Sequence, residues 1–250
     1  MLDTLTIIAI LGTFLLAGII KGVIGLGLPT VSLAVLTVII GLSNAMALIL
    51  VPSFITNLWQ AMVGGNGRVI LRRIWVFLLM ASLTVWLGGE AISRVDLPIL
   101  SGLLGVLIVV YSIISIAGLR FSVTQSQETW LGPVAGIING VLTGMTGSFV
   151  VPGVFYLSTI GLSRDRLVQA MGMLFTLSTV SLGISLQTNN LLTVELGQMS
   201  AAALLPAIIG MVIGQRIRHK LSENLFRRLF FISLLVLGCY ILVSSIYRTV

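Results

Sequence analysis

"AGIIKGV" occupies residues 17–23, and "AGIINGV" occupies residues 135–141. Six of the seven letters agree, and the odd one sets Lys21 against Asn139. Each copy runs into a glycine-rich stretch, "KGVIGLGLP" at 21–29 and "NGVLTGMTGSF" at 139–149. Each stretch then leads into a short apolar segment. How this doubled phrase is read decides how the whole chain is organised.

The repetition extends outward. "GLS" at 41–43 returns at 161–163, Thr56 is matched by Thr176, and "LGG" at 87–89 corresponds to "IGQ" at 213–215. A period of about 120 residues divides the chain into an N-terminal repeat, 1–125, and a C-terminal repeat, 126–250. Five apolar segments fall in each: 5–21, 28–41, 44–62, 74–92 and 97–118, then 130–143, 149–161, 164–185, 195–214 and 224–247. Internal repeats of this kind are a transporter signature.

Composition identifies the medium. Of 250 residues 57% are hydrophobic and 8% charged, with mean hydropathy +1.16. A soluble domain carries roughly 25% charged residues. The apolar runs are too long for strands and lack polar alternation, and in lipid a helix satisfies its own backbone. The expected class is therefore all-α, a polytopic integral membrane protein. The first run follows Asp3 and no basic residue, so it does not read as a cleavable signal peptide. Cys239 is the one cysteine and can form no intrachain disulfide. The net charge of +7 does not argue for nucleic acid, because no soluble basic domain exists to bind it.

Charge placement orients the halves. Arg68, Arg72 and Arg73 lie between the third and fourth segments of the first half. Arg216, Arg218, Lys220, Arg227 and Arg228 lie between the fourth and fifth of the second. Two basic loops one helix out of step both face the cytoplasm only if the halves are inverted, which an odd number of segments brings about. Arg120, Arg164 and Arg166 then fall inside, Glu195 and both termini outside, and Arg248 dissents. This assignment requires 130–161 to enter and leave on the same side.

The short segments after the glycines hold about 14 residues, roughly 21 Å of helix against about 30 Å of hydrocarbon. They read as broken or re-entrant helices, or as short helices meeting in a tight turn. A helix starting after each break would aim unpaired amides and a positive dipole end at the gap. Pro29 suits such a first turn, and Ser148 is a candidate N-cap. This chemistry favours an anion. The candidate substrate-binding residues are Lys21, Gly22, Gly25, Gly27 and Thr30 in the first stretch. Asn139, Gly140, Thr143, Gly144, Thr146, Gly147 and Ser148 are the candidates in the second. Thr56, Asn57 and Gln60 share a helical face with Ser53, and Thr176 is the counterpart of Thr56.

Each has a plainer reading. Lys21 could be a flank that snorkels to the headgroups; held deep, a lysine needs a cavity or partner. Glycines also occur wherever membrane helices pack closely. The amides of Gln60 and Gln169 could bond across helices. The run "SGLLGVLIVV" at 101–110 offers a small-residue face for a homodimer.

Absences narrow the class. No carboxylate lies deep in a segment, so a cation carrier or carboxylate proton relay is disfavoured. No GxxxxGK[ST] loop occurs, so no ATP hydrolysis is expected. His219 reads as a solvated loop residue. No metal-ligand set, nucleophile–base pair or aspartate pair stands out, so neither an enzyme nor a cofactor is expected.

The stretches "AGIIKGVIGLGLPTVSLAVL" (17–36) and "GPVAGIINGVLTGMTGSFVVPGVFYLSTIGLSRDR" (132–166), with the two-half layout, resemble the TauE/SafE family of sulfite exporters. The resemblance implies secondary transport of small sulfur anions such as sulfite, thiosulfate and sulfoacetate-like organosulfonates. It also implies a bacterial or archaeal inner membrane and a substrate path between the halves. Leu28 and Pro29 interrupt the glycine run the family commonly shows after its first break.

Overall fold

The computed structural model describes residues 3–119, 122–218 and 222–249. Arg120, His219 and Lys220, assigned to loops above, lie outside them. The described residues form thirteen helices and no strand. In chain order they are α1 (Thr4–Ile24), α2 (Leu28–Ile40), α3 (Leu42–Leu48), α4 (Leu50–Met62), α5 (Gly67–Leu83), α6 (Val85–Gly89) and α7 (Ala91–Arg94). Then follow α8 (Leu97–Ala117), α9 (Gln125–Thr146), α10 (Gly153–Thr159), α11 (Arg164–Thr188), α12 (Val194–Ile217) and α13 (Glu223–Thr249).

Among the described residues, six stretches are long and apolar enough to cross a membrane. They are α1, the near-continuous α5–α7, α8, α11, α12 and the body of α13. The pair α3 and α4 is a seventh when taken as one span bent by 45°. The chain is a multi-pass helical membrane protein.

The glycine stretches terminate helices rather than interrupt them. α1 and α9 are continuous through both copies of the repeated phrase, at 21 and 22 residues. Gly25 closes α1 in the left-handed region (φ +89°), its N–H donating to the Lys21 carbonyl at 2.8 Å. Gly147 closes α9 likewise (φ +72°), bonding the Thr143 carbonyl at 2.7 Å. A side chain is strained in this conformation and glycine is not. The second copy runs one helical turn further before it stops. Pro29 sits in the first turn of α2, as expected. Ser148 does not cap a helix: residues 148–150 are irregular, and Pro152 holds the N-cap position of α10. A proline disfavours helix in the residue before it, which delays the helix to Gly153.

The chain folds as two compact units, each drawing on both sides of residue 125. The first comprises residues up to Pro52, Asp96–Gly118 and Leu191 onward. In it α1 and α12 run parallel, locked by glycines on both. A Cβ on Gly18 would lie 2.2 Å from the Ala207 carbonyl oxygen, and one on Gly22 2.3 Å from that of Met211. A Cβ on Gly210 would meet Leu15, and one on Gly214 would meet Ile19. α8 and α13 pack antiparallel, with Gly102 against Ser245 and Gly105 against Gly238 and Leu242. The small-residue face of 101–110 is thus occupied within the chain, which removes it as a dimer face. At the α3–α4 bend, Ser200 of α12 donates its hydroxyl to the Leu48 carbonyl (2.8 Å) and accepts the Val51 N–H (3.0 Å).

The second unit comprises Ser53–Val95 and Leu119–Asn190. Here α9 runs parallel to α5 and α6. Successive glycines at 132, 136, 140 and 144 step along Phe77, Ala81, Thr84 and Val85. The repeated phrase therefore does the same thing in both units: its two glycines seat a helix against a partner's backbone. Beyond Gly147 the chain descends antiparallel to α9. The Ser148 carbonyl accepts from Thr143, Tyr156 lies by Gly132 with its ring 4.8 Å from Phe77, and the Val123 N–H bonds the Thr159 carbonyl at 3.0 Å. Arg73 grips Glu128 of α9 through two hydrogen bonds, 2.6 and 2.9 Å, and the Ile160 carbonyl at 2.6 Å. Residues 123–160 thus begin and finish at one end of this unit.

Candidate functional site

A polar group buried in an apolar helix needs a use or a partner. Among the described residues, Lys21 is the only charged side chain in the buried class, at 4% exposed. It lies one residue before Gly22 and in the last turn of α1, where the negative end of the helix dipole favours a cation. In the first unit the turn from α1 to α2 strings the candidates together in sequence. Gly22 is pressed against α12, while a Cβ on Gly25 would meet open space. Gly27 faces Ile20 and Phe230, and Thr30 is buried in the first turn of α2. Ser32, one residue pair further on and unremarked in the sequence, is fully buried, and its hydroxyl has no partner among the described residues.

In the second unit the equivalent position holds Asn139, fully buried in α9. Its Oδ1 accepts the Gly153 N–H at 2.9 Å, which ties α9 to the start of α10. Its Nδ2 is buried with no hydrogen-bond partner among the described residues. An unsatisfied buried donor costs about 1–3 kcal/mol. The neighbouring hydroxyls are already committed. Thr143 donates to the Ser148 carbonyl (3.0 Å) and Thr146 to that of Leu142 (2.7 Å), while the Ser148 N–H donates to Thr146 Oγ1 (3.2 Å). The structure thus brings Asn139, Thr143, Thr146, Gly147 and Ser148 together at the end of α9. Gly140 and Gly144 belong to an adjacent, packing face, against Ala81–Thr84 and Val85–Gly89. The next residue, Phe149, is buried with its ring tilted by 41° against that of Phe175 of α11, centroids 6.0 Å apart.

The remaining candidates divide by what their side chains hold. Thr56 and Asn57 are buried on α4. Gln60 donates to the Val168 carbonyl at 2.7 Å, and Gln169 donates to Ala61 at 2.8 Å while accepting the Asn66 N–H at 3.2 Å. These two amides cross-link the end of α4 to α11. Thr176 turns its hydroxyl back to the Gly172 carbonyl at 2.7 Å. Sequence reasoning missed Gly153, the donor that fixes Asn139, and Ser178, whose buried hydroxyl is also without a partner among the described residues. A proline one residue before Gly153 was the available signal for the first. An isolated serine in an apolar helix was the only signal for the second.

The first unit thus buries a positive charge at Lys21, and the second buries N–H donors at Asn139. Among the described residues no group of three or more His, Cys, Asp or Glu side chains is placed to hold a metal. No curated protein and no solved structure was found to match the chain. The profile of one protein family, described as "Sulfite exporter TauE/SafE", matches residues 10–241. That span takes in both copies of the repeated phrase and the helices they pack against, and the chain belongs to this family of membrane transporters.

Proposed function

We propose that the chain carries a small sulfur oxyanion, such as sulfite, thiosulfate or an organosulfonate of the sulfoacetate type, across a bacterial or archaeal inner membrane by alternating access. The observation that carries this reading is the burial of a cation and of an unsatisfied amide at equivalent places in the repeat, Lys21 and Asn139. An oxyanion needs positive charge and N–H donors, and both groups are held within apolar helices, where a polar side chain needs a use or a partner. Lys21 supplies the charge. Asn139 supplies two N–H groups, held in direction because its oxygen is fixed by Gly153. Each is buried in its own unit, and each is tested separately.

The test is counterflow in proteoliposomes with labelled sulfite, thiosulfate and sulfoacetate, and acetate as the non-sulfur control. Saturable uptake accelerated by unlabelled anion inside supports a carrier; flux linear in concentration would make the chain a pore. Lys21→Ala should abolish counterflow of the sulfur anions, whereas Lys21→Arg should retain part of it. Asn139→Asp keeps the acceptor for Gly153 but replaces the donors, and should lose transport while remaining folded. Absence of uptake for every sulfur anion by well-folded protein would overturn the proposal.

A further inference from the structure

Asn139 is not alone in the second unit in being left open. On α11 Thr176 and Thr179 turn their hydroxyls back to the Gly172 and Phe175 carbonyls, at 2.7 and 2.6 Å. That local bond is the usual recourse of a hydroxyl inside a helix. Ser178 stands between them and does not make it. The residue is fully buried, and its Oγ has no hydrogen-bond partner among the described residues.

Two close approaches fix where Ser178 lies relative to Asn139. A Cβ on Gly153 would lie 2.6 Å from Asn139 Oδ1 and 2.7 Å from Leu174 Cδ2, so α9 and α11 meet there. Further along both helices, a Cβ on Gly144 would lie 2.5 Å from the Gly89 nitrogen, and one on Gly89 would run into the Ser185 hydroxyl. Leu174, Ser178 and Ser185 fall within about 40° of one another around α11. Ser178 therefore stands on the face of α11 that meets α9 and α6, between these two levels and about 6 Å along the helix from Leu174. Were its oxygen within reach of the Asn139 amide, it would accept an N–H and both groups would be satisfied. Both are open, so they flank a position rather than share a bond.

The chemistry of the pair selects what can fill that position. With Oδ1 taken by the Gly153 N–H, Asn139 offers only the two N–H groups of Nδ2, which can neither accept a hydrogen bond nor coordinate a cation. The missing partner is an acceptor. A serine hydroxyl can rotate to donate to that same partner. Among the described residues, no charged side chain of the second unit is in the buried class, so the number of donors rather than their charge ranks one anion against another. Two N–H groups and one O–H match the three oxygens of a sulfonate or of sulfite, whereas a sulfinate presents only two. Resting on the transport reading above, we propose that Ser178 is a specificity-determining residue. Its hydroxyl donates to the third oxygen of an anion whose other two oxygens take the Asn139 N–H groups.

The experiment sets methanesulfonate and methanesulfinate, which differ by one oxygen, as competitors of labelled sulfite counterflow in proteoliposomes. The full chain is compared with its Ser178→Ala and Ser178→Thr variants. The unaltered chain should hold methanesulfonate the more tightly. Ser178→Ala should weaken methanesulfonate roughly tenfold while leaving methanesulfinate within about twofold, and Ser178→Thr, which keeps a hydroxyl, should restore the preference. In SDS titration Ser178→Ala should be at least as stable as the unaltered chain, because it removes a buried hydroxyl that bonds nothing. A serine with a merely structural role would instead lose stability and weaken both competitors together. That result, or no change for either competitor in protein that still exchanges sulfite, would overturn the role of Ser178 and leave the transport reading standing. Failure of the folded, unaltered chain to exchange sulfite or either competitor would overturn both.

Discussion

Replacing Gly22 with alanine tests the packing role of the repeated phrase, because Gly12 on the same helix serves as an internal control. A Cβ at Gly12 meets nothing within 4 Å. At Gly22 it would lie 2.3 Å from the Met211 carbonyl oxygen, 2.8 Å from the Gln215 nitrogen and 2.9 Å from Gly214 Cα. All three are backbone atoms and cannot rotate aside. Restoring an ordinary contact of about 3.4 Å requires α1 and α12 to part by roughly 1 Å. A gap of that size forfeits a quarter to a half of each dispersion contact, and a close interface holds on the order of 40 such pairs at about 0.1–0.2 kcal/mol each. The loss comes to about 2 kcal/mol, within the usual range for overpacking. The helix-propensity gain of about 1 kcal/mol from glycine to alanine is common to both variants and cancels in their difference. Unfolding of the purified chain by SDS titration in mixed micelles should therefore separate Gly22→Ala from Gly12→Ala by about 2 kcal/mol, close to thirtyfold in the folded-to-unfolded ratio. Gly140→Ala, whose Cβ would lie 2.4 Å from the Ala81 carbonyl oxygen, should behave like Gly22→Ala. Coincident unfolding curves for all three variants would refute the claim that these glycines exist for close helix approach.

Two further substitutions probe polar cross-links between helices. Ser200→Ala strips the Leu48 carbonyl and the Val51 N–H of their shared partner and should destabilise the chain by about 1–3 kcal/mol, read in the same titration. Gln169→Leu releases the Ala61 carbonyl and the Asn66 N–H, and hydrogen exchange should quicken at the amides of 62–68 while the α1–α12 pair keeps its protection. Unchanged exchange there would show that the Gln169 bonds are incidental.

Much of this architecture was legible because membrane helices are written in long apolar runs, and all ten runs coincide with one helix, with two or three helices in series or, at 149–161, with a stretch only partly helical. Gly25, Gly147 and Pro29 act at helix boundaries, as their backbone chemistry requires. What was not legible is partnership. Small residues at Gly18, Gly22, Gly102 and Gly105 announce that another backbone comes close, but carry no mark of which one. Gly102 and Gly105 thus read as a dimer face and proved to meet α13. Gln60 and Gln169 likewise announced that buried amides need partners without naming the carbonyls that satisfy them. The contrast between Lys21 and Asn139 was visible at once, whereas the fixing of Asn139 by Gly153 depends on how the chain returns beside α9, which no local pattern encodes.

The pairing of α1 with α12 has a consequence for how the protein is made. A ribosome adding 5–20 residues per second needs roughly 10–40 s to travel from the end of α1 to the end of α12, about 190 residues later. Throughout that interval the glycine face of α1 must wait without its permanent partner. The α5–α9 pair is separated by only about 60 residues and can close within seconds. Every helix of the second unit has been synthesised by Asn190, before α12 or α13 exists. The order of assembly is therefore inside out: the middle of the chain can settle first, and α1, though made before it, is among the last to be locked in place.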